Sequence, residues 1–487
     1  MSLHARRAGA LAVAALLLGA APAAANVPLT RVSTDPFTNG TSQHATEVEP
    51  DTFAFGGTVV GAMQVGRFFN GGATDVGFVR STDGGTTWSS GFLPGMTFSS
   101  GAASAYERVS DASVAYDSAH GTWMISSIPL LPSTSVPTVL VSRSTDGGAT
   151  WQNPVSTPPP LAHSVDLDKN WTVCDNVSSR FRGHCYTELD NFGDGDRELM
   201  TTSTDGGATW STPIQTAGHD KGLGGQPVVQ PDGTVIVPFE SLDGKISAFR
   251  STDGGSSWTK AVTISGVRFH GVAGGLRTSP LPTAEIDGSG KVFVAWEDCR
   301  FRPKCSANDI VFSTSSDGVT WSAVSRVPID AVTSGADHFI PGLAVDPATS
   351  GRNAHLALTY YFYPDTTCTG GCRLEVGYTS SPDGGAHWGN ATQLAGPMAL
   401  SQIALTSQGP MVGDYISTSF SGGKATSVFP VGHEQPTAST FDEASYAPAT
   451  PLSVATKGQA TNTASSAGAG PVTGVGTGET HHALRAG

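Results

Sequence analysis

Ser81-Thr82-Asp83-Gly84-Gly85-Thr86-Thr87-Trp88 decides the fold, because the chain repeats this pattern six times. It returns at residues 144–151, 203–210 and 251–258, one residue shorter at 315–321, and last as Ser381-Pro382-Asp383-Gly384-Gly385-Ala386-His387-Trp388. The chemistry is that of a hairpin turn. The carboxylate accepts from backbone N–H groups of its own turn. The glycines supply positive φ. The tryptophan folds back and packs between sheets. The central aspartates stand 48 to 66 residues apart, room for one four-stranded sheet per copy. The spacing therefore predicts an all-β, six-bladed β-propeller over residues 26–448. One active site needs unique residues, whereas six turns need the same residue six times. The box aspartates are read as structural.

Working outward, runs such as Val139-Leu140-Val141, Val235-Ile236-Val237 and Val292-Phe293-Val294 read as strands, and no long 3.6-residue apolar period appears. Residues 1–25 carry a basic start (His4, Arg6, Arg7), an apolar run at 8–21 and Ala23-Ala24-Ala25, the pattern of a secretory signal. The run is shorter than the roughly 20 residues that span a bilayer, so a secreted, extracellular protein without a membrane anchor is expected. Residues 449–487, rich in Ala, Ser, Thr and Gly, read as a disordered tail. The formal charge of −14 repels phosphate backbones and argues against nucleic acid as a partner. The six cysteines fall as close pairs, Cys174 with Cys185, Cys299 with Cys305 and Cys368 with Cys372, which in an exported chain favours disulfides. Cys-x-x-Cys spacing and interleaved histidines are missing, which argues against a cysteine metal site.

Six such boxes at blade spacing resemble the sialidase (neuraminidase) superfamily, whose members are six-bladed propellers. The stretch from Val59 to Arg67, a loop, and Asp75 before the first box looks like the family's first blade. By that resemblance Arg67 lines the site and Asp75 is the general acid/base. Met411-Val412-Gly413-Asp414-Tyr415 looks like the segment bearing the family's nucleophilic tyrosine, which makes Tyr415 the candidate. A phenol needs a carboxylate to activate it. Glu285 is the nearest in pattern, with Glu240 as rival. Arg300 and Arg373 look like the second and third arginines that fork onto a substrate carboxylate. The first is absent: Glu47-Val48-Glu49-Pro50-Asp51 stands where the family has Arg-Ile-Pro. Either Arg31 or Arg108 replaces it, or the ligand is not sialic acid.

Other polar candidates are Asp168, Lys169, Trp171 and Asp175 around the first cysteine pair, then Arg277, Asp337 and His338. Glu297 and Asp298 stand where they can neutralise Arg300. The resemblance implies an exo-acting, retaining glycoside hydrolase that cleaves terminal sugars from glycans. It needs no cofactor, leaves a structural calcium open, and is expected to be a monomer. Two alternatives stay open: a non-catalytic propeller that binds glycans or matrix proteins, and a lyase or glycosidase acting on wall polysaccharide.

Overall fold

The computed structural model describes residues 27–437 and 440–467, so the signal-like segment lies outside the described residues. The described chain is built almost wholly of antiparallel strands, with 3-10 turns as its only helices. All three cysteine pairs are disulfides, as their spacing predicts.

Among the described residues, seven groups of four or more strands form, one more than there are boxes, besides two two-stranded ribbons. The first runs Glu47–Phe55, Thr58–Arg67, Ala73–Ser81, Ser89–Phe92. The second runs Arg108–Asp117, Thr122–Leu130, Leu140–Ser144, Val155–Ser156. A single pairing, Ala73 with Val109, joins these two. The third begins with Leu167–Cys174, the fourth with Gly222–Leu223 and Val228–Val229, the fifth with Thr283–Ile286 and the sixth with Asp337–Val345. The seventh is Ser417–Ser421, Lys424–Gly432 and Glu443–Pro448, completed by Leu29–Arg31 from the other end of the chain.

This corrects the six-blade expectation, and the reason is topological. Each box joins the third and fourth strands of a sheet. The seventh sheet takes its fourth strand from the N-terminal segment, so it has no such turn and carries no box. First strands pack against first strands in chain order, and Ser417–Ser421 packs against Glu47–Phe55 to complete a propeller-like ring. Thr52 Oγ1 lies 2.9 Å from Ser417 Oγ and 2.8 Å from Ser419 Oγ at that closure.

The boxes work as their sequence implies. Asp83 Oδ1 accepts from the Thr86 and Thr87 amides at 3.1 and 2.8 Å, and Ser81 Oγ donates to it at 2.8 Å. These donors hold the exposed Asp83 carboxyl down at about 2. Trp388 is fully buried, with its Nε1–H donating to Gly385 O at 3.0 Å. Boxes also stitch sheets together: Arg80 Nε donates to Gly147 O and Arg143 Nε to Gly206 O, each reaching the next sheet's box.

The tail expectation needs a new boundary. Pairing continues past residue 448: Asn462–Thr463 pairs with His387–Trp388, and Ser465–Ala467 adds a fifth strand to the fifth sheet beside Val324–Arg326. Residues 468–487 lie outside the described residues.

Candidate functional site

Antiparallel order puts the start of every first strand at the end of the ring opposite the boxes. There the first strands are bulged. The register slips between Val48 and Asp51, Ser110 and Ser113, Asp168 and Trp171, and Phe339 and Gly342. At each slip one non-glycine residue adopts left-handed backbone: Glu49 (φ 54°), Asp111 (φ 50°), Lys169 (φ 47°) and Ile340 (φ 49°). Such a residue costs on the order of 1–3 kcal/mol, and a bulge of this kind re-aims a side chain. On three consecutive sheets the re-aimed side chain is charged.

Glu49, Asp111 and Lys169 line one cleft of about 330 Å³, with Arg67, Asp168, Arg277 and the Asn70–Gly72 backbone completing its polar wall. Lys169 Nζ is the hub. It pairs with Asp414 and lies 3.6 Å from Glu49 Oε1 and 3.7 Å from Asp111 Oδ1. Arg277 grips Asp414 with two bonds, Nε to Oδ1 at 2.8 Å and Nη2 to Oδ2 at 2.5 Å. The Asp414 amide donates to Glu49 Oε1 at 3.0 Å, and Gln64 donates to the other Glu49 oxygen. Arg67 donates from Nη1 to Gly72 O at 2.7 Å, while its buried Nε has no acceptor.

The same burial treats these groups differently. Burial works against ionising Asp414, but Arg277 and Lys169 outweigh it and hold the carboxyl well below its usual range. Asp111 is pushed up to about 8 by burial; Lys169 opposes this, and Glu49, Asp168 and Asp414 add to it. Arg67 is lowered to about 10 by burial and by Arg277. The cleft thus brings together a carboxyl raised by burial, a lysine bridging it to the ionised Asp414 behind the wall, and a guanidinium whose Nε has no acceptor.

The expected residues separate. Arg67 lines this cleft. Tyr415 lines a small adjoining recess with Trp171, Gly224, Gly225, Pro282 and Pro341. Its hydroxyl donates to Ala112 O at 3.2 Å, its ring meets Trp171 edge-on at 5.1 Å, and burial plus Glu49, Asp111, Asp51 and Asp414 hold the phenol protonated. Asp75 is buried in its own sheet, accepting from the Val76 amide at 2.8 Å, and lies outside the cleft lining. Burial raises it to about 7.

Glu285 is half-buried on its first strand and raised to about 8 by burial and Asp51. Glu240 is buried in the fourth sheet and raised to about 8. Arg300 is spent on Asp298, Ser265 Oγ and Gly266 O, so Asp298 does neutralise it. Arg373 is exposed at the start of its strand. Three separated arginines therefore do not form a carboxylate clamp here. Arg31 pairs with Asp442, and Arg108 binds Asn70 Oδ1 at 2.7 Å beside the cleft.

No protein-family profile matches the chain, and no curated protein does. Among solved structures it is similar to a protein of unknown function from Dyadobacter fermentans (15% identity, TM-score 0.47, covering 73% of this chain and 99% of that one). It is also similar to a Hadza microbial sialidase (16%, 0.43, 84% and 67%) and to the endosialidase of phage phi92 (12%, 0.48, 89% and 70%). All three likenesses fall below a TM-score of 0.5, so the function is argued from the cleft itself.

Proposed function

We propose that the cleft receives a terminal sugar bearing a carboxylate and that the protein is a glycoside hydrolase acting on acidic glycans. One observation carries the reading: the Arg67 guanidinium, whose buried Nε has no acceptor, lines the same cleft as the Asp111 carboxyl, which burial pushes up to about 8. A guanidinium fork matches a sugar carboxylate, and a protonated carboxyl is what a leaving glycosidic oxygen requires.

In this scheme Asp111 gives its proton to the glycosidic oxygen as the bond to the anomeric carbon breaks. Glu49 faces the positive charge that develops on the ring. Water completes the hydrolysis, giving its oxygen to the anomeric carbon and a proton back to Asp111. Both carboxyls lie against Lys169 Nζ, so their near oxygens are at most about 7 Å apart, below the roughly 9.5 Å upper limit for paired glycosidase carboxyls. Asp111 takes the role that the resemblance assigns to Asp75. Tyr415, with its phenol held neutral, shapes the floor. No step requires a metal or an organic cofactor.

The test is turnover of α-sialosides and uronides by the wild type, Asp111→Asn and Arg67→Lys. Asp111→Asn is expected to lower kcat/KM by about 100-fold or more, the range of lost general acid catalysis. Wild-type activity is expected to fall as pH rises through about 8, where Asp111 loses its proton. Glycan binding without turnover of any member of the panel would replace this reading with that of a lectin-like propeller, which the buried, neutral Tyr415 would then suit.

A further inference from the structure

Lys169 Nζ reaches three acids and treats them unequally. It is ion-paired and hydrogen-bonded to Asp414, while Glu49 Oε1 and Asp111 Oδ1 stand 3.6 and 3.7 Å away, beyond hydrogen-bond length. A lysine carries its charge on a flexible stem, so the ammonium goes to the acid that is best fixed. That acid is Asp414. The loop that bears it is stapled to the first sheet: the Glu49 amide donates to Val412 O at 3.1 Å and the Asp414 amide to Glu49 Oε1 at 3.0 Å. Gly413 (φ 146°) makes this approach possible, because a Cβ there would sit 2.9 Å from Glu49 Cγ and 2.8 Å from Tyr415 O. Arg277 then holds both Asp414 oxygens. The Tyr415 ring, its centroid 5.8 Å from Nζ, draws the ammonium the same way.

The choice the ammonium makes decides the state of Asp111. At hydrogen-bond distance it would hold Asp111 as a carboxylate, with no proton to give. Held on Asp414, it leaves burial to win. Asp111 is pushed up to about 8, with Lys169 opposing the rise and Glu49, Asp168 and Asp414 adding to it. Arg67, Arg277 and Tyr415 also interact with Asp111 electrostatically. Asp414 is buried behind the cleft lining, so it reaches the chemistry through Lys169 and not through the substrate.

We propose that Asp414 is a positioning residue for Asp111: it draws the Lys169 ammonium away and thereby keeps Asp111 able to donate a proton to the glycosidic oxygen at neutral pH. This rests on the assignment of Asp111 as the acid. The arrangement has a signature in sign. Asp414→Asn frees the ammonium for Asp111, which then ionises at lower pH. Arg277→Met removes the second cation from Asp414, which then draws Lys169 harder, and Asp111 ionises at higher pH. The field of the Asp414 charge alone would do part of this. Asp414→Asn is therefore also made in Lys169→Met, where only that field remains.

The test is an infrared pH titration of the full chain without substrate. The Asp111 component is found by difference from the same protein carrying Asp111→Asn. The midpoint is expected to fall by about one pH unit in Asp414→Asn and to rise by about as much in Arg277→Met. In the Lys169→Met background the fall should be about half as large or less. Arg277→Met covers a failure of Asp414→Asn to fold. Unmoved midpoints, or an equal fall with and without Lys169, would overturn the proposal. The titration is read apart from turnover. An alkaline limb of kcat/KM that follows the midpoint in each variant supports both the positioning role and the hydrolase. Midpoints that move as expected in a protein that turns over no glycan would remove the hydrolase and leave the coupling of Asp414, Lys169 and Asp111 in place.

Discussion

The molecule uses aspartate in two opposite ways, at its two ends. In the box turns the carboxyls stand near solvent, each ringed by amides and a hydroxyl, and Asp83 and Asp317 are held down at about 2. At the end where the first strands begin, Asp111 is buried beside other acids and is pushed up to about 8. The difference lies in what surrounds each carboxyl. A turn brings its own donors within four residues, so the charge is satisfied locally and can be copied six times. The cleft draws its groups from three sheets and the loop carrying Arg277, and burial there pushes Asp111 up while Arg277 and Lys169 hold the neighbouring Asp414 down.

The largest effect should come from the hub of the cleft. Lys169→Met leaves Glu49, Asp111 and Asp414 without their shared cation, and chemical denaturation should show a loss of about 3–5 kcal/mol, the cost of stranding buried charge. A loss under 1 kcal/mol would mean that Asp414 does not depend on Lys169 for its charge, and the contrast between the two ends would weaken.

Next in size is the pH dependence. Asp51, Glu240 and Asp337 are raised by burial to about 7, 8 and 7, so the stability they confer is complete at acidic pH and is lost as pH rises from about 4 to 8. The box aspartates are lowered, so theirs is present above about 4 and lost as pH falls toward 2. Glu240→Gln should flatten the alkaline limb by on the order of 2–3 kcal/mol and leave the acid limb alone. Thermal melts across pH would show this, and an unchanged alkaline limb would contradict it.

The smallest effect belongs to a single box. Asp383 Oδ1 accepts from the His387 amide at 2.8 Å, and removing its carboxylate by Asp383→Ala should cost about 1 kcal/mol once solvent screening is allowed for. A loss as large as that of Lys169→Met would show that the outer turns, not the cleft, hold the ring.

These two ends were unequally legible in the sequence. The boxes could be read because their bonds are local, and the three disulfides because each pair is close in sequence. The seventh sheet could not be counted from boxes, since its outer strand comes from the far end of the chain. Arg300 stands just past a strand end, and Asp298, the last residue of that strand, captures it. Arg67, Lys169 and Arg277 were singled out in the sequence as polar candidates, and all three line the cleft. Asp111 was not. A fainter repeat would have exposed it: Asp111-Ala112-Ser113-Val114-Ala115-Tyr116-Asp117, Leu281-Pro282-Thr283-Ala284-Glu285-Ile286-Asp287 and Ile340-Pro341-Gly342-Leu343-Ala344-Val345-Asp346 align, each ending in Asp. Asp111 and Ile340, at the head of two of them, are bulge residues at the ring mouth, and Leu281 lines the recess there.

The most direct test of the contrast between the ends is an infrared pH titration of the carboxyl C=O band in wild type and Asp111→Asn. A protonated band should survive at pH 7, and one component of it, absent from the variant, should disappear near pH 8. Complete ionisation of every carboxyl by pH 6, or identical bands in the two proteins, would contradict the account.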